Sequence, residues 1–178
     1  MTSEVAPGPA EAPREPRLAA DAMLGGLARW LRVLGLDVAY DPALDDAALV
    51  RFAAEEGRVI LTRDRRLVQR RLARRHLLIS SGEVGEQLRQ VLDELGIAPD
   101  PARLLSRCLR CNQSLVPLAA DAARERVPPY VASTRDRFRE CPRCGRVYWS
   151  ATHVERMRER LARFGVPLQA GNHPSSGA

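Results

Sequence analysis

Apolar and polar positions alternate in a regular rhythm from Arg17 to Gly96. Leu18-Ala19-Ala20 is a short apolar run that stops at Asp21, which predicts a first strand with an acid at its C-terminal end. Gly25-Gly26 opens a stretch in which Leu27, Trp30, Leu31 and Leu34 recur at helical spacing, and Gly35 ends it. Asp37-Val38-Ala39-Tyr40 predicts a second strand and Asp41-Pro42 a turn. Asp45 or Asp46 is placed to cap a second helix carrying Ala48, Leu49, Phe52 and Ala53. Arg58-Val59-Ile60-Leu61-Thr62 is a continuous run of the kind buried in parallel sheets, and it ends at Arg63-Asp64. Leu67, Val68 and Leu72 give residues 65–75 an apolar side and predict a third helix. Its other positions are Arg65, Arg66, Arg70, Arg71, Arg74 and Arg75. His76–Ile79 predicts a fourth strand. Residues 83–95 predict an amphipathic helix through Val84, Leu88, Val91, Leu92 and Leu95, closed by Gly96. Strand and helix thus alternate four times, the pattern of a three-layer α/β domain on a mostly parallel sheet.

Pro99 to Pro101 interrupt this rhythm and set a boundary between a first unit, 17–99, and a second, 100–168. In the second unit Leu118–Arg126 predicts a short helix, broken by Val127-Pro128-Pro129-Tyr130. Val147-Tyr148-Trp149 predicts a strand. Residues 152–164 predict a last helix, with Val154, Met157, Leu161 and Phe164 on one face and Arg156, Arg158, Arg160 and Arg163 around the rest. Residues 1–16 are rich in Pro, Ala and Glu, and residues 169–178 are small and polar. Both are expected to be disordered extensions.

Composition adds constraints to this outline. The chain is 45% hydrophobic but only 4% aromatic, so its core must be aliphatic. No apolar run approaches the ~18 residues of a membrane span. The N-terminal stretch lacks the basic start and apolar centre of a signal peptide, so a cytoplasmic location is expected, where thiols stay reduced. The net charge is +6, and all 28 basic residues are arginine. Residues 1–99 hold 14 arginines against 15 acids, and residues 100–178 hold 14 against 7. A genome rich in G and C would explain the missing lysine, but not the scarcity of acids after residue 100. A basic second unit beside a near-neutral first one points to a polyanionic partner, nucleic acid foremost.

The four cysteines all lie in that basic unit, as Cys108-Leu-Arg-Cys111 and Cys141-Pro-Arg-Cys144. A Cys-x-x-Cys turn points two sulfurs into one small space, and two such turns supply four thiolates for a tetrahedral zinc. Gly145 lets the backbone of the second turn fold back on its sulfur, as in a zinc knuckle. Disulfides, a redox pair and unrelated thiols are the other readings of the same residues. The 112–140 insert is longer than a usual ribbon allows, so it must fold over the site or loop away from it. Four thiolates leave no open coordination position, so a zinc held there would be structural.

A parallel sheet gathers the C-terminal ends of its strands at one edge. Asp21, then Asp41, Asp45 and Asp46, then Asp64, then Glu83 would follow the four strands in turn. Clustered carboxylates repel unless a cation joins them, and Mg²⁺ or Mn²⁺ prefers such oxygen ligands. Capping is the favoured role for at least one of Asp45 and Asp46 and an alternative for Asp64, and a turn accounts for Asp41. There is no phosphate-binding glycine loop, which counts against a nucleotide- or small-molecule-binding α/β domain. Nothing suggests a nucleophile triad, and His76, His153 and His173 are weak candidates for ligand or catalyst beside four thiolates.

Three stretches together carry a resemblance. They are Asp21-Ala-Met-Leu-Gly-Gly-Leu-Ala-Arg-Trp-Leu-Arg32, then Gly57-Arg-Val-Ile-Leu-Thr-Arg-Asp64, then the cysteine pairs with Val147-Tyr148-Trp149 and Thr152-His153. Over about residues 17–165 the chain resembles the Mut-seven C-terminal RNase domain family, which joins a PIN-like nuclease domain to a zinc ribbon. The resemblance implies a metal-dependent ribonuclease that leaves 5′-phosphate and 3′-hydroxyl ends. Asp21 and Asp64 would hold the Mg²⁺ or Mn²⁺, and Asp46 would be the middle acid, with Asp45 and Asp41 behind it. Glu83 alone can serve as the acid after the fourth strand. Arg29, Arg32, Arg63, Arg65 and Arg66 could contact RNA phosphates, a solvated helix face being the other reading of them, and the zinc ribbon would grip the RNA backbone. A non-catalytic RNA- or ribosome-binding adaptor on the same fold accounts for the basic zinc unit equally well.

Overall fold

The computed structural model describes residues 15–149 and 152–168. The extension and the tail read from the sequence as disordered lie outside the described residues, apart from Glu15 and Pro16. The first half of the chain is a parallel α/β unit: β1 (Leu18–Ala20), α1 (Gly25–Val33), β2 (Val38–Tyr40), α2 (Asp46–Glu55), β3 (Val59–Thr62), β4 (His76–Leu78) and α3 (Val84–Glu94). The four strands are all parallel and run in the order β2-β1-β3-β4.

Period-two alternation divides the core between the two faces of this sheet. Leu18, Ala20, Val38, Val59, Leu61 and Leu77 face the cluster built with α1 and α3. Ala19 and Ile60 point the other way, onto Leu49, Val50 and Ala53 of α2. Strands buried on both faces read as continuous apolar runs, which is why β3 stands out in the sequence. The result is three layers with an aliphatic core, as the sequence pattern predicts.

One predicted helix is absent. Residues 65–75 form a single 3-10 turn at Leu67–Gln69 and otherwise irregular chain. Leu67 and Ala73 are buried, but Leu72 is 45% exposed, so the segment has no continuous apolar stripe to dock. Arg66/Arg70, Arg70/Arg74 and Arg71/Arg75 would be like-charged pairs at helical i, i+4 spacing, which opposes a helix further.

The second half builds a three-stranded antiparallel sheet from β5 (Val116–Leu118), β6 (Phe138–Glu140) and β7 (Val147–Trp149), in that order. Two short helices, α4 (Ala120–Arg124) and α5 (Pro129–Thr134), fill the long insert between the cysteine pairs. They pack Ala123, Val127 and Val131 against Phe138, so the insert folds over its own sheet. Pro129 stands at the first position of α5, where proline starts a helix rather than breaking one. The last helix, α6 (Thr152–Arg163), returns to the first unit. Leu161 and Val166 are buried in the same cluster as α1 and α3, and Phe164 meets Trp30 edge-on with ring centroids 5.2 Å apart.

Candidate functional site

Two places in this fold gather residues that can do chemistry. The first is the pair of cysteine turns, which have the same backbone construction. The amide of Cys108 donates to Gln113 and that of Asn112 to Cys108, at 2.8 and 2.9 Å. In the second turn Cys141 donates to Arg146 and Gly145 to Cys141, at 3.0 and 2.9 Å. The residue after each second cysteine adopts a left-handed backbone, φ +63° at Asn112 and +69° at Gly145. Glycine does this freely and asparagine more readily than other side chains.

The turns bring all four Sγ atoms within 4.8 Å of one another, with Cys108 and Cys144 at 3.8 Å. Zn–S bonds of about 2.3 Å at tetrahedral angles require S···S edges of about 3.8 Å, so the thiols fit zinc in number, type and spacing. The sulfurs are also prepared for charge. Burial opposes ionisation of Cys108, but hydrogen bonds from the Tyr148 hydroxyl and the backbone amides of Cys111 and Arg110 outweigh it and bring its pKa down to about 6. Burial and its thiol neighbours push Cys111 up to about 12. One thiol thus ionises readily and the next resists, because a second negative charge in this space needs a cation to join it. Burial and the Cys108 thiolate raise the Tyr148 hydroxyl, which keeps its proton and donates it to Sγ at 3.2 Å.

The first turn is bolted to the parallel sheet. β2 is an edge strand, and the outward N–H and C=O of Val38 have no strand to pair with. The Asn112 side chain accepts from the Val38 amide at 3.0 Å and donates to the Asp37 carboxylate at 2.7 Å. The Arg32 guanidinium donates twice to the Val38 carbonyl and once each to those of Leu109 and Arg110, at 2.8–3.1 Å. Expected from the sequence to contact phosphate, Arg32 is only 4% exposed and is a tether between α1, β2 and the cysteine turn. Its position beside Leu31 and four residues after Ala28, both buried, is the sequence signal that it faces inward. Asp37 also holds Arg58 at 2.7 Å. Burial opposes its ionisation, but the Arg58 and Asn112 hydrogen bonds and the charges of Arg58 and Arg107 hold its carboxyl below the usual carboxylate range.

The second place is the C-terminal edge of the parallel sheet. Strand order reverses between β1 and β3, because the chain steps from β1 out to β2 and then crosses back to β3. Ligands of open α/β sheets sit outside the strand ends at such a reversal. Asp21 follows β1 and Asp64 follows β3, so the two flank it. They share one partner: the buried Thr62 hydroxyl donates to Asp21 Oδ2 at 2.7 Å and accepts from the Asp64 amide at 3.0 Å. Asp64 Oδ1 accepts from the Arg66 amide at 2.7 Å, and Asp21 is 7% exposed. Thr62 is a link that sequence reasoning did not single out. Its signal is a hydroxyl ending an apolar strand two residues before an acid.

The remaining acids do not join this pair. Asp46 lies 3.5 Å from Arg70 and is 42% exposed. Asp45 caps α2 by accepting from Ala48 at 2.7 Å, and Asp41 closes a turn onto Ala43 at 3.0 Å. Glu83 is exposed at the start of α3. Among the described residues, the four cysteines are the group of three or more potential ligands that comes within metal-binding distance; no third acid completes a set with Asp21 and Asp64. Arg29, Arg63 and Arg65 are exposed; Arg63 and Arg65 flank Asp64 after β3, and a Cβ added at Gly82, which follows β4, would lie 4.0 Å from the Arg63 guanidinium.

A parallel α/β sheet with acids at its strand-order reversal is here tied to a basic unit whose four cysteines have the spacing of a zinc site. Residues 16–161 match the family model described as the Mut7-C RNAse domain, and the chain belongs to that family. No curated protein and no solved structure matches it. Among the described residues, no helix is long and apolar enough to cross a membrane.

Proposed function

We propose that the protein is a metal-dependent endoribonuclease whose cleavage site is the Asp21–Asp64 edge. The observation that carries this reading is the Asp21–Thr62–Asp64 hydrogen-bonded chain at the strand-order reversal of a Mut7-C RNAse domain. Two carboxylates suit Mg²⁺ or Mn²⁺, which keeps several waters and takes few protein ligands. Such a cation would neutralise phosphodiester charge and lower the pKa of a water. Asp21 and Asp64 are the residues that would hold it. Thr62 fixes the Asp21 carboxylate and the loop that carries Asp64, so both oxygens are positioned before substrate arrives. Arg63 and Arg65, on either side of Asp64, would draw the phosphate backbone toward the acids, and Arg29 on the exposed side of α1 would add a further contact. Asp46 and Glu83 have a smaller part here, as charges at the rim of the same edge.

In this reading the cysteine unit holds zinc, performs no chemistry and presents RNA. The test is incubation of end-labelled single-stranded RNA with the purified protein, with and without added Mn²⁺. Mn²⁺-dependent products with 5′-phosphate and 3′-hydroxyl ends are expected. Products ending in 2′,3′-cyclic phosphate, formed equally without Mn²⁺, would sink the carboxylate site, because they mark attack by the ribose hydroxyl.

A further inference from the structure

The crossover from β3 to β4, residues 65–75, is a strap that starts immediately after Asp64 and is irregular apart from the 3-10 turn Leu67–Gln69. The amides of Gln69, Arg70 and Ala73 donate to the carbonyls of Arg66, Leu67 and Arg70 at 2.9–3.2 Å, so its own turns hold it. Leu67 and Ala73 pin it to Leu49, Val50 and Ala53 of α2. Near its middle Arg70 stands 3.5 Å from Asp46, in the first turn of α2. At its end the Arg75 guanidinium donates at 2.8 Å to the carbonyl of Gly57, just past α2. The strap therefore runs from the acid edge along the flank of α2 to the opposite edge of the sheet. That is a path of about 15 Å, the length of a ten-residue helix.

Its surface is of one sign. Arg65, Arg66, Arg70, Arg71, Arg74 and Arg75 are all exposed, and no acid occurs between Asp64 and Glu83. Among the described residues, Asp46 is the carboxylate within ion-pair distance of these arginines, and it is itself 42% exposed. One exposed acid offsets little of the repulsion among six like charges. The buried arginines differ: Arg32 and Arg58 spend their donors on carbonyls and carboxylates of the fold.

A flexible chain with a regular row of negative charge complements such a surface, and guanidinium groups take phosphate oxygens in pairs. The strap also has a fixed place relative to the acids. Across the sheet the order is β2, β1, β3, β4, so the cysteine turn at the β2 edge and the strap leaving β3 lie on opposite sides of Asp21 and Asp64. At the near end the Arg66 amide is bonded to the Asp64 carboxylate itself.

We propose that the strap is a backbone track for single-stranded RNA. It leads the strand on one side of the scissile bond away from Asp64 and along α2, while the zinc unit holds the strand on the other side. The proposal rests on the RNA reading above and deepens it. Arg71 and Arg74 are the contacts to test, since both are exposed and lie beyond the residues placed at the acids.

The experiment uses the full zinc-loaded chain and an oligoribonucleotide whose cleavage position in Mn²⁺ has been mapped. The RNA is lengthened stepwise on the 5′ or the 3′ side of that position. Wild type, the double variant Arg71→Gln/Arg74→Gln and the double variant Arg71→Lys/Arg74→Lys are compared by kcat/KM. Lengthening on either side is expected to raise the wild-type value. In the glutamine variant the gain should vanish on one side and persist on the other, and the lysine variant should recover most of it because it keeps the charge. Equilibrium binding without Mn²⁺ gives a second readout. The log–log salt dependence should flatten by about 1.4 in the glutamine variant, twice the ~0.7 of one phosphate contact on a single strand.

An unchanged length profile and salt dependence in the glutamine variant overturn the track and leave the cleavage site standing. A loss spread equally over both sides does the same, because it marks a change of net charge rather than a local contact. A wild-type protein that neither cleaves nor binds RNA overturns both readings. Polyglutamate that displaces RNA of equal charge, and loses its hold in the same variant, would make the strap a protein-docking surface and also overturns the proposal.

Discussion

Replacing Arg32 by methionine separates its two possible roles. Methionine keeps much of the buried stem volume and removes every donor. The carbonyls of Val38, Leu109 and Arg110 then lose their guanidinium partner in a setting where Arg32 itself is almost wholly buried. At about 1 kcal/mol per unsatisfied carbonyl, the low end of the range because the cysteine turn is only partly buried, the three cost about 3 kcal/mol. For a chain of this size that lowers Tm by about 6–12 °C. The loss extends to the metal site, since Arg32 fixes the carbonyls of the Cys108–Cys111 turn and lies near enough to Cys108 and Cys111 for their charge to favour its ionised form. Differential scanning calorimetry and the rate of zinc release to a colorimetric chelator are the assays. Arg32→Met should melt earlier and release zinc faster, and Arg32→Lys should recover little, since one ammonium cannot span three carbonyls. A Tm within about 2 °C of wild type, with RNA affinity lowered, would refute the tether and restore the phosphate contact expected from the sequence.

Asp37 carries a pH dependence of known sign. Its folded pKa is depressed, so its contribution is present above the ordinary carboxylate pKa of about 4 and disappears as pH falls through the lower folded value. Urea titrations should find Asp37→Asn less stable than wild type at pH 7, with the difference shrinking as pH falls below about 4; a difference that stays constant on acidification would contradict it. Gly35 has φ +85°, and a Cβ there would meet the Arg103 carbonyl at 2.5 Å and Ser106 Oγ at 2.7 Å. Gly35→Ala should therefore destabilise well beyond the ~1 kcal/mol of backbone strain expected for Gly57→Ala, at φ +64° in open space, and equal melting of the two variants would refute the clash. Cys108→Ser should abolish stoichiometric zinc in metal analysis and loosen the β2 edge in hydrogen exchange, because Asn112 and Arg32 anchor both.

The parallel half of the fold was legible because its strands are buried on both faces and its helices carry single apolar stripes. Residues 65–75 misled because Leu67, Val68 and Leu72 have helical spacing, while the burial of only Leu67 and Ala73 is a tertiary fact. β5 and β6 have three residues each, too few for alternation to show, and Pro117 marks β5 as an edge strand only once pairing is known. The cysteine turns were legible in type from spacing alone. Their bond to β2 was not, since nothing local in Asp37, Arg32 or Asn112 states that they meet. The acid edge was legible as a set of strand-end acids. Which of them share a partner depends on Thr62 and on the strand order, both of which are long-range.

The central claim is that the chemistry belongs to Asp21 and Asp64 while the zinc unit only presents RNA. The most direct test is single-turnover cleavage and equilibrium binding of one labelled RNA, measured in parallel for wild type, Asp21→Asn and Asp64→Asn in Mn²⁺. Each substitution is expected to cut the cleavage rate at least ~100-fold, the scale of one lost electrostatic or acid–base group, while zinc content, Tm and RNA affinity stay near wild type. Cleavage at the wild-type rate by both variants would contradict it.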